Sequence, residues 1–218
     1  MNLLYNGSVN AWLILNPAAA GGRDRERALQ HAAGVLTANG WLVNWRRTER
    51  AHHAEALARQ AASEGADAVF VAGGDGTVNE VTNGLVGTRT ALAVLPAGTG
   101  NVLAAQLGLI GIPTPLHRPD PAWAALQLCK GRRHEIDVGL VRQRSGQVRH
   151  FVLWAGIGMD AAIAQEVEGE ARDLKRALGP GAYGAVGVRR LLSPVGAVAT
   201  VRSDADHVRG RLLQALVA

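Results

Sequence analysis

Ala68-Val69-Phe70-Val71-Ala72-Gly73-Gly74-Asp75-Gly76-Thr77-Val78-Asn79-Glu80 is an apolar run that breaks without a spacer into three glycines, an acid and a threonine. Five apolar residues, two of them β-branched and one aromatic, bounded by glycines predict a buried strand over 68–72. Helical spacing resumes after the glycines and predicts a short helix over 78–85. A strand that ends in glycines and re-enters as a helix is the core of a βαβ unit.

The same rhythm extends outward on both sides. Upstream, a strand over 12–15 stops at Asn16-Pro17 and a small-residue loop over 18–22. Asp24 is placed to cap a helix over 25–39, in which Ala28, Ala32, Val35 and Leu36 recur at helical spacing, and Gly40 stands where a C-terminal cap belongs. A second strand over 42–46 leads to Thr48 and a helix over 51–64 closed by Gly65. Downstream, a strand over 91–95 ends at Pro96-Ala97-Gly98-Thr99-Gly100-Asn101, followed by a helix over 102–107. Short apolar strands alternating with helices predict an α/β fold, with an N-terminal parallel, Rossmann-like sheet covered on both faces.

Beyond Gly108 the pattern changes. Residues 110–121 carry four prolines and read as a connection, and a helix is expected over 122–130. Extended segments over 133–141 and 148–155 flank Arg144-Ser145-Gly146-Gln147, a hairpin signal. A loop and helix over 156–168, a segment over 174–192 broken at Gly179-Pro180-Gly181, and strands over 196–203 and 208–217 complete a mostly antiparallel second part. The expected boundary lies within 118–133, giving a first domain over 1–125 and a β-rich second domain over 126–218.

Composition narrows the function classes. At 48% hydrophobic residues over 218 positions and a mean hydropathy of +0.05, the chain can bury a core and lacks the signature of disorder. The net charge of +5 comes almost entirely from arginine, with no run of five like charges, so nucleic acid is not an expected partner. Cys129 is the single cysteine, no Cys/His grouping has zinc spacing, and no window of about 18 uncharged apolar residues occurs. A cytoplasmic protein is expected.

In an open parallel sheet, ligands bind outside the carboxyl ends of the strands, where the loops 16–22, 73–77 and 96–101 should converge. Three glycines within 73–77 allow close backbone approach and leave N–H groups facing an anion at a helix start. Asp75 would repel that anion unless a magnesium ion lies between them or the acid accepts a proton from a substrate hydroxyl. The pair suggests phosphoryl transfer. Glycine turns after strands are also common for purely structural reasons.

The combination of motifs resembles the catalytic domain of the diacylglycerol kinase family, which includes sphingosine and ceramide kinases and bacterial lipid kinases. The resemblance runs through Asn16-Pro17, Thr48, the stretch 73–84 (G-G-D-G-T-V-N-E-V-T-N-G), residues 96–104, Ile136-Asp137-Val138-Gly139 and Ala155-Gly156-Ile157-Gly158-Met159-Asp160. It implies a two-domain kinase that binds ATP with Mg2+ in the first domain and admits a lipid between the domains at a membrane surface. The nucleotide residues it implies are Asn16, Thr48, Gly73, Gly74, Asp75, Gly76, Thr77, Asn79, Glu80 and Thr99. Asp75 is the implied catalytic acid, acting on Mg-ATP or on the acceptor hydroxyl. Asp160 occupies the position where related sphingosine kinases place an acid near the lipid headgroup, and a helix-start carboxylate explains it equally well.

Other readings stay open beside these. Thr77 serves as a phosphate donor or as a plain helix cap, Asn101 as a side chain that pins its loop, and Asp137 as a structural or functional acid. His52 and His53 read as solvent-facing, Trp41 and Trp45 as packing residues, and Arg189 and Arg190 as a solvated helix face. NAD kinases share the Gly-Gly-Asp-Gly-Thr loop, although Val78-Asn79-Glu80 and residues 98–101 fit the lipid kinases better. The family's later glycine-rich strand, its Asp-Gly element, its proton-accepting carboxylate and its structural magnesium ligands have no counterpart in these 218 residues. That absence raises a third reading, a nucleotide-binding remnant without catalysis. It also leads to the expectation of an exposed strand edge able to pair with a second copy as a homodimer.

Overall fold

Four strands carry the core of the first unit: β1 (Val9–Leu15), β2 (Trp41–Arg47), β3 (Ala68–Gly73) and β4 (Ala91–Pro96). They are all parallel and lie in the order β2-β1-β3-β4, with Leu15 beside Arg47 and Ala72, and Gly73 beside Pro96. A computed structural model of the chain describes residues 9–20, 23–98, 100–110, 119–143, 145–168, 186–187, 197–202, 207–212 and 214–217. β3 is buried along its whole length, as an unbroken apolar run in a doubly covered sheet requires.

The helices are α1 (Pro17–Ala20), α2 (Arg23–Ala38), α3 (His53–Ser63), α4 (Asp75–Leu85), α5 (Val102–Gln106) and α6 (Pro121–Lys130). Right-handed crossovers place α2 on one face and α3 with α4 on the other. The contacts agree: α3 packs on α4 and α2 on α6. α2 buries Leu29, Ala32, Ala33 and Leu36, and α3 buries Ala54, Leu57, Ala58 and Ala61, one stripe of each helix. Trp12 is 1% exposed under the Arg46 guanidinium, whose carbon lies 4.3 Å from the ring centroid, and Trp41 meets Phe70 edge-on. Asp120 accepts from the Ala122 N–H and Pro121 opens α6, so that helix starts on a polar cap followed by a pre-set φ.

The first compact unit ends at Leu153 and the second begins at Trp154. The first includes an antiparallel hairpin, β5 (Gly139–Arg142) with β6 (Val148–Phe151), that rests on α4. Asn83 of α4 clasps the backbone of His150, donating to its carbonyl at 2.9 Å and accepting from its N–H at 2.8 Å. Arg149 reaches Glu55 of α3 at 2.6 Å. In the second unit, β7 (Ala155–Gly158) pairs antiparallel with β10 (Gln214–Val217), and β8 (Ala197–Arg202) pairs antiparallel with β9 (His207–Leu212). α7 (Met159–Glu168) follows β7 directly.

The α/β class and the parallel-then-antiparallel order match the sequence reading, with local differences. The helix expected at 78 begins at Asp75 instead, because Gly74 is extended and its carbonyl accepts the N–H groups of Thr77 and Val78. α2 begins at Arg23, which puts Asp24 inside the first turn rather than at the cap. The extended segment expected over 133–141 is a strand only from Gly139, which pairs with Phe151, the last residue of β6. The strand expected over 208–217 is two strands, which pair with different partners. Most of 174–192, with Arg189 and Arg190, lies outside the described residues.

Candidate functional site

Strand order reverses between β1 and β3, so the crevice of this sheet lies at their carboxyl ends. Asn16 spans it. Its backbone N–H donates to the Ala72 carbonyl at 3.0 Å, its Oδ1 accepts from the Ala18 N–H at 3.0 Å, and its Nδ2 donates to Thr77 Oγ1 at 2.9 Å. The Ala18 contact fixes which way the amide points, and Thr77 Oγ1 then accepts a hydrogen bond from Asn16 and keeps its own O–H to donate. Thr77 is 6% exposed and is the third residue of α4, which excludes the cap role for it. Thr48 enters beside this group, its N–H donating to the Leu15 carbonyl at 2.9 Å.

The two glycine loops lock together. A Cβ on Gly98 would fall on the Cα of Gly74, and one on Gly100 would lie 2.6 Å from Asp75 Oδ2, so side chains at these positions would force the loops apart. Asp75 Oδ1 accepts from the Val102 N–H at 2.8 Å, tying the start of α4 to the start of α5. Asn101, 6% exposed and left-handed at φ 52, accepts from the Gly98 N–H and donates to the Gly98 carbonyl, both at 2.8 Å. Its side chain thus pins the loop. Arg25 of α2 donates to the same Gly98 carbonyl at 3.2 Å.

What remains at this edge suits an anion. The carbonyl of Gly74 serves Thr77 and Val78, so the N–H groups of Asp75 and Gly76 have no acceptor within the helix, and the positive end of the α4 dipole lies with them. One carboxylate, Asp75, stands in the same turn. Among the described residues no group of three or more His, Cys, Asp or Glu side chains is arranged to hold a metal. Asp75 is thus the one carboxylate of that turn from which a cation could draw a ligand.

The structure thus brings together Asn16, Thr48, Gly73, Gly74, Asp75, Gly76 and Thr77 at one edge of the sheet. Asn79 is half-buried one turn further along α4. Glu80 turns its carboxylate to α3, accepting from the N–H groups of His52 at 3.0 Å and Ala54 at 3.1 Å. Thr99 lies outside the described residues, and Asp160 is the second residue of α7 in the other unit. Arg25 and Asn83 were not singled out by sequence reasoning. Asn83 sits inside the quoted 73–84 motif, whereas nothing in the chain order signals that Arg25 reaches a loop 73 positions away.

Two ionisable groups near these elements are shifted. Burial raises the Glu55 carboxyl, but hydrogen bonds and charges from Arg149 and Arg59 outweigh it and hold the group below its ordinary value. Burial pushes the Cys129 thiol up, only partly opposed by its bond with Trp41, so it is not a reactive thiolate.

Residues 10–141 match the diacylglycerol kinase catalytic domain. The chain belongs to that family. A diacylglycerol kinase of Bacillus subtilis is 34% identical over 212 residues, covering 95% of this chain and 64% of its own length. A Pseudomonas putida protein named "Probable lipid kinase YegS-like" is 31% identical over 205 residues, covering 93% of this chain and 62% of its own. The crystal structure of a diacylglycerol kinase from Bacillus anthracis superposes with a TM-score of 0.65 at 26% identity, covering 95% of this chain and 63% of that one. The chain therefore spans a little over three-fifths of these relatives. No helix among the described residues is long and apolar enough to cross a membrane.

Proposed function

We propose that this chain carries the nucleotide site of an ATP-dependent lipid kinase that transfers the γ-phosphoryl group to a lipid hydroxyl such as that of diacylglycerol. The observation that carries the reading is the pair of interlocked glycine loops at the sheet's switch point, with Asn16 orienting the Thr77 hydroxyl. Bound there, ATP supplies the transferred group, and Mg2+ offsets the charge of its phosphates. The N–H groups of Asp75 and Gly76 would receive a phosphate, and the Thr77 hydroxyl, accepting from Asn16, would donate to a second oxygen. Thr48, Asn79 and Thr99 complete the nucleotide contacts. Asp75, steadied at Oδ1 by Val102, presents its charge to the metal or takes the proton of the acceptor hydroxyl. Residues beyond 126, Asp160 among them, provide the surface for the lipid.

A lipid acceptor requires peripheral contact with a bilayer, and the excess of arginine favours an anionic one. The deciding experiment measures ATP binding and transfer of labelled phosphate to a lipid panel in anionic vesicles. The chain is assayed alone and joined to the corresponding additional length of a relative. Transfer that needs the longer form supports a family kinase whose nucleotide site lies in these residues. ATP binding with no transfer by either form favours a nucleotide-binding remnant, and phosphorylation of NAD without lipid would reverse the substrate class.

A further inference from the structure

We infer that Glu80 is a positioning residue of the nucleotide site, holding in place the turn that carries Thr48 rather than touching the nucleotide. The inference rests on the nucleotide reading above and deepens it. α3 begins without a local cap: its N-cap residue, His52, has φ 60 and makes no side-chain capping bond. A left-handed backbone at a non-glycine residue persists only where its surroundings hold it. Glu80 is what holds it. Its two carboxylate oxygens accept from the N–H groups of His52 and Ala54, placing a negative charge on the positive end of α3 from a neighbouring helix.

The turn between β2 and α3 is fixed elsewhere as well. Thr48 is tied to Leu15 at its start, the His53 N–H donates to the Arg50 carbonyl at 3.3 Å, and His53 Nδ1 accepts from the Glu49 N–H at 3.1 Å. Five residues separate the Thr48 anchor from the Ala54 anchor, so releasing the second lets Thr48 drift from the crevice edge. A carboxylate already engaged by two backbone donors, and carrying the same charge as a polyphosphate, has no comparable reason to face the ligand.

The test measures ATP affinity by calorimetry, and hydrogen exchange at the Ala54 amide, in four proteins: wild type, Glu80→Gln, His52→Gly and the double variant. Glu80→Gln is expected to weaken ATP binding roughly 5- to 10-fold, on the scale of a lost charge-assisted bond, and to speed exchange at Ala54. His52→Gly, which adopts the left-handed turn without strain, is expected to restore much of the affinity in the double variant. A purely structural glutamate would alter exchange but leave affinity unchanged, and a direct ligand would lose affinity without rescue; either result overturns the inference. Failure of the wild type itself to bind ATP would instead overturn the nucleotide reading, and this inference with it.

Discussion

The crevice end of the parallel sheet and the β5–β6 hairpin are both tied by polar side chains, but only the crevice adds a close approach of backbone to backbone. At the crevice, the backbone of Gly98 lies against that of Gly74 with no room for a side chain, while the Asn101 side chain ties Gly98 from both sides and the Asp75 carboxylate bridges two helix starts. The hairpin rests on polar side chains, with Asn83 clasping His150 and Arg149 paired with Glu55. Close backbone contact tolerates no added atom and keeps loop geometry fixed, which suits a surface of N–H donors. Side-chain staples can be removed singly, and each costs only its own bond.

Four substitutions or conditions can break that contrast, and they should differ in size. Gly98→Ala puts a methyl group onto Gly74 and should cost more than about 3 kcal/mol in chemical denaturation, with ATP binding lost. A loss under about 1 kcal/mol would show that the loops are looser than described. Asp75→Asn keeps an oxygen for Val102, so folding should survive while phosphate transfer, in whichever form transfers phosphate, falls about 100-fold or more, equivalent to roughly 2.7 kcal/mol. Unchanged turnover would remove Asp75 from the chemistry. Asn83→Ala should leave the His150 backbone groups unpaired, lower stability by about 1–2 kcal/mol and speed exchange at the His150 amide, with ATP affinity unaltered. A drop in affinity would mean that the staples and the crevice are coupled.

The smallest effect is that of pH on the Glu55–Arg149 pair. The folded carboxyl sits below its ordinary value, so its contribution is complete above the unfolded value of about 4.3 and fades as the pH falls through the lower, folded one. Comparing wild type with Arg149→Ala should give a stability gap of at most about 1 kcal/mol near neutral pH that narrows below pH about 4. A gap that persists in acid would assign the effect to packing instead.

The crevice was more legible than the hairpin for the same reason. Gly73, Gly74, Asp75, Gly76 and Thr77 are contiguous, and their place after an apolar strand points to their role. Gly40 and Gly65 likewise announced helix ends, and both have positive φ. The limits of β5 and β6 were not legible, because a strand ends where its partner does, and Gly139 meets the last residue of β6, Phe151. Nor could the splitting of 208–217 be read locally, since β10 leaves β9 to pair with β7.

Alternating apolar runs and glycine-bounded turns, which depend on neighbours in the chain, determined the α/β class, the parallel sheet and the expected convergence of the loops 16–22, 73–77 and 96–101. The family resemblance rests on those same contiguous motifs. Tertiary structure alone decided which atoms each polar side chain meets: Thr77 oriented by Asn16, Asp75 spent partly on Val102, and Glu80 turned to the N-terminus of α3. A carboxylate or amide seeks whichever donor the folded backbone brings within about 3 Å, and that donor is rarely its neighbour in sequence.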